Sequence, residues 1–326
     1  MAASSLICFG LVFICVSALA SLLLGGVLKL AESNLRTLGH FTERRGATLV
    51  LLLPPLLGLT VTAILAGNSA LALASGTDHC LEHGHHLHLC LKHSALWASE
   101  PWAVVTLCFF ATFIIIRAIH TAWAHLYAQL AATRLKDIGS PIDDFDHGFL
   151  VPGEEKTAFT TGVFSPTIII SRGAWNALDV NGRAALMAHE QAHITHGDLG
   201  KRAALGVLAC LGVPMFTRRA LEIWELASER ICDRDAASRV GRSSIVAGAI
   251  LSLSQLPGKR PATAVAVFAA ASNVTQRVHS LLNHEPGGEP VARSLAGFSI
   301  AATVLAAAAC MIFAESLHHI LETILG

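Results

Sequence analysis

The residues best suited to chemistry in this chain are two histidines four positions apart, with a glutamate directly after the first. They lie in the segment AHEQAHITHGD as His189, Glu190 and His193. Residues i and i+4 share one face of a helix, so both imidazoles can reach a single ion. Zinc accepts neutral imidazole and keeps a position open for water, and a neighbouring carboxylate can accept a proton from that water. The H-E-x-x-H pattern therefore predicts a zinc-dependent hydrolytic site with Glu190 as the general base.

A catalytic zinc site needs a third protein ligand. Position 199, six residues after His193, is a leucine, so a third histidine at that spacing is excluded. The later segment WELASERICD offers two glutamates, Glu225 and Glu229, and Asp233 follows Glu229 by one helical turn. A carboxylate from this second segment is therefore expected to complete the site, with an aspartate able to hold the outer nitrogen of a ligating imidazole.

Local signals predict the elements that position these residues. Residues 157–171 are expected to form two short strands joined by a turn with glycine and proline. A helix capped by Asp179 or Asn181 should carry the histidines and end near His196, where Gly197 follows.

The next two elements should present the glutamates. The apolar segment 201–216 is short for a membrane span and is expected to form a buried or membrane-surface helix. A second long helix is expected from about Arg219 to Gly241.

The composition indicates a membrane protein. Of 326 residues, 53% are hydrophobic and only 14% are charged, whereas soluble domains usually carry about 25% charged residues. The net charge is zero, so no direct nucleic-acid partner is expected. Four apolar segments are long enough to cross a bilayer, at about 5–30, 47–74, 102–123 and 295–314. The first could instead be a signal peptide cleaved after Ala20, but it lacks a basic start and the apolar run continues beyond that position.

The distribution of basic residues predicts the orientation. The first connecting loop carries Lys29, Arg36, Arg44 and Arg45, whereas the second loop, residues 75–101, has a single lysine. Basic residues favour the cytoplasmic side, so the N-terminus and the second loop should be external. The expected organisation is a membrane region with three spans at 1–123, a cytoplasmic protease domain at 124–294, and a fourth span with a short external tail at 295–326.

Residues 156–235 resemble the membrane-bound metallopeptidases of the β-lactam receptor type, which are antirepressor sensor-transducers. The features that carry the resemblance are the strand pair, HExxH separated by four residues from Asp198, and Glu-x-x-Cys-Asp. It implies a mainly α-helical multi-span protein of the bacterial inner membrane, with a cytoplasmic gluzincin-like α+β protease domain. Related proteases of the heat-shock and CAAX-processing type share HExxH but usually have a longer hydrophobic hairpin between the two motifs.

The resemblance also implies roles for individual residues. His189, His193 and Glu229 would bind one Zn²⁺, Glu190 would be the base, and Asp198 and Asp233 would be supporting carboxylates. An edge strand would align the substrate peptide, and it would contain Thr167, Ile168, Ile169 and Ile170. The penicillin-binding sensor domain of those receptors is not expected to follow the fourth span.

The second loop is the candidate external sensor. It could bind a second metal ion, since thiolates and imidazoles suit copper or zinc, or it could be closed by a Cys80–Cys90 disulfide. Its candidate ligands are His79, Cys80, His83, His85, His86, His88, Cys90 and His93.

The leading functional hypothesis is a zinc endopeptidase that cleaves a cytoplasmic protein, such as a winged-helix repressor, in response to an external signal. Two alternatives remain. One is a quality-control protease for membrane proteins, and the other is a non-enzymatic membrane protein that handles metal.

Overall fold

A computed structural model of the chain describes residues 2–37, 39–75, 101–142, 145, 147–254 and 271–283. Its strands are β1 (Ser140–Pro141), β2 (Gly148–Val151), β3 (Ala158–Thr161) and β4 (Thr167–Ser171). Its helices are α1 (Ala2–Thr37), α2 (His40–Ser75), α3 (Pro101–Ile138), α4 (Arg172–Asn176), α5 (Val180–His196), α6 (Asp198–Ala209), α7 (Pro214–Val240), α8 (Ser243–Ser254) and α9 (Ala271–Leu282).

Three helices in the described ranges are long and apolar enough to cross a membrane. Their candidate spans are Leu6–Leu35, His40–Asn68 and Pro101–Ile138, which indicates an integral membrane protein. All three helices extend beyond the predicted segments, and Gly39, directly before α2, has φ 99°. The predicted fourth span at 295–314 and residues 76–100 of the histidine-rich loop lie outside the described residues.

The small sheet has the strand order β1-β2-β4-β3. The predicted pair of strands is confirmed, since β3 is antiparallel to β4 with Phe159 opposite Ile169. On its other side β4 pairs in parallel with β2, which the sequence analysis did not predict.

The prediction that β4 is an edge strand is wrong. Ile168, Ile169 and Ile170 have strand partners on both sides, whereas Thr167 is paired only with Thr161 of β3, so the edge next to β4 is formed by β3. Ile168 and Ile170 pack in the core formed by α5 and α8, and Ile169 packs on the opposite face against Ala132 of α3. A run of consecutive buried isoleucines is typical of a strand that is covered on both faces.

The helix that carries HExxH begins and ends where predicted. The Asp179 carboxylate accepts a hydrogen bond from the Gly182 amide at 2.7 Å, which caps the first turn of α5. Gly197 ends the helix with φ 62°, a left-handed conformation that glycine adopts without a steric penalty. The second long helix of the domain, α7, begins at Pro214 instead of the predicted Arg219, because proline is suited to the first helical position.

The hairpin formed by α6 and α7 packs on the membrane helices. The twelve-residue α6 is too short to span a bilayer, as predicted, and Leu205 is buried on it. Leu28 of α1 and Leu51 of α2 join Leu205 and Trp224 of α7 in one apolar cluster.

The turn between α6 and α7 is bound by two of the membrane helices. Arg117, the single charge inside the apolar part of α3, donates hydrogen bonds to the carbonyls of Ala209 (2.8 Å), Cys210 (3.0 Å) and Gly212 (2.9 Å). The hydroxyl of Ser21 on α1 accepts a hydrogen bond from the Val213 amide at 3.0 Å. A cation at a helix C-terminus satisfies carbonyls that have no partner within the helix.

Candidate metal centre

Helix α5 places His189, Glu190 and His193 in the interior of the domain. His189 and Glu190 are each only 2% exposed. The rings of His189 and His193 have centroids 4.9 Å apart and an interplanar angle of 86°. The i, i+4 spacing therefore brings both imidazoles to one buried point, as the sequence predicted.

Helix α7 brings Glu229 to the same point. Its two carboxylate oxygens lie 3.4 Å from the Nε2 atoms of His189 and His193, one oxygen to each ring. Glu225, the alternative glutamate, instead forms an ion pair with Arg202 at 2.8 Å on a more exposed face. Of the two glutamates, only Glu229 faces the histidines.

Each imidazole is held at its other nitrogen by an aspartate. His189 Nδ1 lies 2.9 Å from Asp233 of α7, and His193 Nδ1 lies 2.9 Å from Asp198 at the start of α6. Burial raises the pKa of Asp233, but the charge of Arg277 and the hydrogen bonds from Arg277 and His189 together outweigh burial, and the net pKa is lowered. Burial also raises the pKa of Asp198, but the hydrogen bond from His193 and the charge of Arg44 act against burial, and the net pKa of Asp198 is lowered.

Both aspartates are therefore ionised and can only accept hydrogen bonds, so the Nδ1 atom of each histidine carries the proton. The Nε2 atom of a neutral imidazole with this tautomer has a free lone pair. Two such lone pairs and the Glu229 carboxylate thus converge, and the three ligand atoms lie within 4.8 Å of one another. Three acceptors that meet in a buried space favour a cation between them, either a metal ion or a proton on an imidazole. The donor set of two imidazoles and one carboxylate fits Zn²⁺.

The electrostatics of the site favour positive charge at this point. Burial lowers the pKa of His193, but the Glu229 carboxylate and the hydrogen bond to Asp198 raise it well above its ordinary value. Burial raises the pKa of Glu229, but the charges of Arg277 and His193 lower it well below its usual range. Glu229 is therefore an anion at neutral pH, which is the form that a metal ligand must have.

An arginine from α9 forms ion pairs with two carboxylates of the site. Arg277 is 1% exposed and donates from Nε to Asp233 at 2.7 Å, while its Nη1 lies 2.9 Å from Glu229. The sequence analysis gave this residue no role. Only an indirect indication of it was present in the sequence. Two buried carboxylates beside a metal need a buried basic residue as their partner, but the local sequence does not show which basic residue that is.

A second group of ligand-type side chains lies on the outer side of His193. Cys232 Sγ is 3.4 Å from His193 Nδ1 and 3.6 Å from Asp198. Burial raises the pKa of the Cys232 thiol to about 12, so the thiol is protonated at neutral pH in the metal-free protein. The Nδ1 atom is already engaged with Asp198, which leaves the His189–His193–Glu229 group as the candidate metal site.

Glu190 is held by the edge strand. The Thr160 hydroxyl on β3 donates a hydrogen bond to Glu190 Oε2 at 2.6 Å. This contact was not predicted, because the sequence analysis took β4 to be the edge. The strand next to the site that has a free edge in the described sheet is β3.

The comparisons with known proteins agree with this geometry. A model of peptidase family M48 matches residues 118–256, from the second half of α3 to the end of α8. No curated protein and no solved structure was found to match the chain. Residues 118–256 therefore carry a domain of peptidase family M48, a zinc metallopeptidase family.

Proposed function

We propose that this protein is an integral-membrane zinc endopeptidase that cleaves a cytoplasmic protein. The observation that supports it most directly is the convergence of two imidazole lone pairs and the Glu229 carboxylate, beside a glutamate on the same helix as both histidines. A structural ion pair would not need Glu190, whereas hydrolysis needs a base at this position.

His189, His193 and Glu229 would hold the metal, which when bound supplies a Lewis acid that acidifies water and polarises a peptide carbonyl. Glu190 accepts the proton of the attacking water and returns it to the leaving amine. Thr160 holds Oε2 of this carboxylate, so we assign the proton transfer to Oε1. Asp198 and Asp233 keep the Nδ1 protons in place, which fixes the orientation of both rings.

We propose β3 as the strand that aligns the substrate. It has a free edge in the described sheet, and one of its side chains touches the base. A peptide added to this edge as an extra strand would run past the metal ligands and would be held by main-chain hydrogen bonds with little sequence preference.

The charge bias supports a cytoplasmic position for the site. The first turn of α2 contacts the site, so the metal centre lies at the end of the membrane helices where α1 and α2 are joined. Lys29 and Arg45 lie near the same end, and basic residues favour the cytoplasmic side. This proposal requires α6 not to cross the membrane, and its twelve residues are consistent with that.

The experiment compares new protein N-termini in cells that express the wild type, Glu190→Gln or Glu225→Gln. Glu190→Gln keeps the metal ligands and removes the base, so cleavage should fall by roughly 10²- to 10⁴-fold while zinc is still bound. Glu225→Gln is the matched control, because this carboxylate lies outside the site, and it should cleave like the wild type. Equal cleavage by the wild type and Glu190→Gln would contradict the proposal and leave a metal-binding function.

The cleaved proteins would identify the biological role. We propose, from the resemblance to antirepressor sensor-transducers, that the substrate is a repressor and that cleavage responds to metal or oxidant outside the cell. One cut repressor, seen only under such a challenge, would support signalling. Many cut membrane proteins without any challenge would instead indicate quality control.

A further inference from the structure

The first turn of α2 contributes buried polar side chains to the surroundings of the metal centre. His40, Glu43 and Arg44 are all buried, although they lie at the start of the candidate membrane span His40–Asn68. Their partners lie on three elements around the site. His40 Nε2 is 2.9 Å from the Ser280 hydroxyl of α9, and Glu43 is 2.9 Å from Arg230 of α7.

Arg44 makes the contact that leads to a metal ligand. Its guanidinium donates to Oδ1 of Asp198 on α6 and lies over the ring of Trp224 on α7, 4.8 Å from the ring centroid. The other oxygen of the same carboxylate, Oδ2, accepts the hydrogen bond from His193 Nδ1 at 2.9 Å. The Asp198 carboxylate therefore joins a guanidinium of a membrane helix to an imidazole of the metal site.

A second chain of contacts runs from the same turn of α2. Arg230, which pairs with Glu43, also donates to Gln276 Oε1 at 2.9 Å. Arg230 and Gln276 are the sequence neighbours of Glu229 and Arg277. The backbone that presents the third ligand is thus tied to α2 as well, although less directly than His193.

We propose that Arg44 is a positioning residue for the metal centre and acts through Asp198 on His193. The M48 domain at 118–256 contains Asp198 and His193 but not Arg44, so the site is completed by a helix from outside the matched segment. This inference rests on the proposed function only in that it takes His193 as a metal ligand. It concerns metal binding and does not require that any particular protein is cleaved.

The physical reason is the orientation of the Asp198 carboxylate. Arg44 binds Oδ1, which fixes Oδ2 against Nδ1 of His193 and so keeps Nε2 of that ring directed toward Glu229 and the metal position. Loss of the partner of a metal-ligating histidine typically lowers metal affinity by about 10- to 100-fold. Loss of Arg44 should weaken the same contact indirectly, because Arg44 binds the Asp198 carboxylate that holds His193.

The test measures zinc affinity of the full-length protein in detergent, by competition with a chromophoric chelator, for Arg44→Met, Arg44→Lys and Arg45→Met. Arg45 is the adjacent residue of the same helix and is exposed, so its substitution is the matched control. We expect Arg44→Met to lower zinc affinity by roughly 10-fold or more. Arg44→Lys should recover part of the loss, and Arg45→Met should bind zinc like the wild type. The visible spectrum of the Co²⁺-substituted protein should also change in Arg44→Met, because the orientation of one ligand changes.

A double-substitution cycle separates positioning from general destabilisation. If Arg44 acts through Asp198, adding Arg44→Met to Asp198→Asn should not lower zinc affinity further. This double variant also avoids an unpaired buried charge, so it tests the proposal even if Arg44→Met alone does not fold. Zinc affinity of Arg44→Met within twofold of the wild type, or additive losses in the double variant, would overturn the proposal. A wild type that binds zinc through His193 but cleaves nothing would contradict the proposed function and leave this inference intact.

Discussion

Replacement of Arg277 by methionine tests the electrostatic design of the site most directly. The guanidinium is fully enclosed and is paired with both Glu229 and Asp233. Methionine fills similar space without charge, so the two carboxylates lose their shared cation. Removing one partner of a buried ion pair typically costs about 3–5 kcal/mol. Domains are usually stable by only about 5–15 kcal/mol, so the metal-free variant should be markedly less stable.

The loss should depend on pH in a defined direction. In the wild type the folded-state pKa of both carboxyls is lowered, so their contribution to stability is present above about pH 4 and is lost as the pH falls through the folded-state pKa. In both carboxyls Arg277 is the strongest influence that lowers the pKa. In the variant the folded-state pKa values should therefore rise, and the buried carboxyls take up protons at higher pH. The stability gap between wild type and variant should be widest near pH 7 and should close as the pH falls.

The assay is denaturant-induced unfolding of the metal-free protein in detergent, followed by tryptophan fluorescence between pH 4.5 and 7.5. Arg239→Met is the control, because Arg239 is exposed near the end of α7 and should change the free energy of unfolding by no more than about 0.5 kcal/mol. A gap below about 1 kcal/mol at pH 7 would refute the reasoning, since it would mean that Arg277 does not compensate the two carboxylates. A gap that does not change with pH would refute the assignment of the loss to Glu229 and Asp233.

Three further predictions concern single contacts. Thr160→Val removes the hydrogen bond to the Glu190 carboxylate, which is worth about 1.5–3 kcal/mol. Proteolysis of fluorescent casein should therefore slow by roughly 10- to 100-fold, while zinc affinity stays unchanged. An unchanged rate of proteolysis would exclude a positioning role for Thr160. Cys232→Ser should keep one zinc per chain by metal analysis, because Cys232 faces Nδ1 of His193 and not the Nε2 atom that lies next to Glu229. Loss of zinc would contradict this. Arg117→Met leaves three carbonyls of the α6–α7 turn without their donor, so hydrogen exchange there should accelerate strongly, whereas Arg134→Met, on an exposed position of the same helix, should leave it unchanged.

The parts of the site that depend on local sequence could be predicted. Asp179 and Gly197 set the ends of α5, and a helix of that length puts His189 and His193 on one face wherever it packs. The choice between Glu225 and Glu229 was different, because both lie on α7, and only the packing of α7 against α5 decides which of them faces inward. The sequence limited the candidates for the third ligand to Glu225 and Glu229. The resemblance favoured Glu229, which is the glutamate that the structure places beside His189 and His193.

Contacts between distant segments left no local signal. Arg44 was counted as one of several basic residues in a loop, yet it lies in a helix and is buried against Asp198, far along the chain. The misassigned edge strand has a similar cause. Whether β4 has a free edge depends on β2, a four-residue strand whose partner can be identified only from the packed sheet.

The hydrogen bonds of Arg117 have a consequence for how the protein is made. Their acceptors are synthesised 92 to 95 residues after the arginine, which takes about 5 to 20 seconds at ordinary rates of translation. During that interval α3 carries a charge into an apolar environment without its acceptors, at a cost of up to about 3 kcal/mol. The final packing of α3 therefore depends on the arrival of the α6–α7 turn, and a truncation that removes this turn would leave the Arg117 guanidinium without these three acceptors.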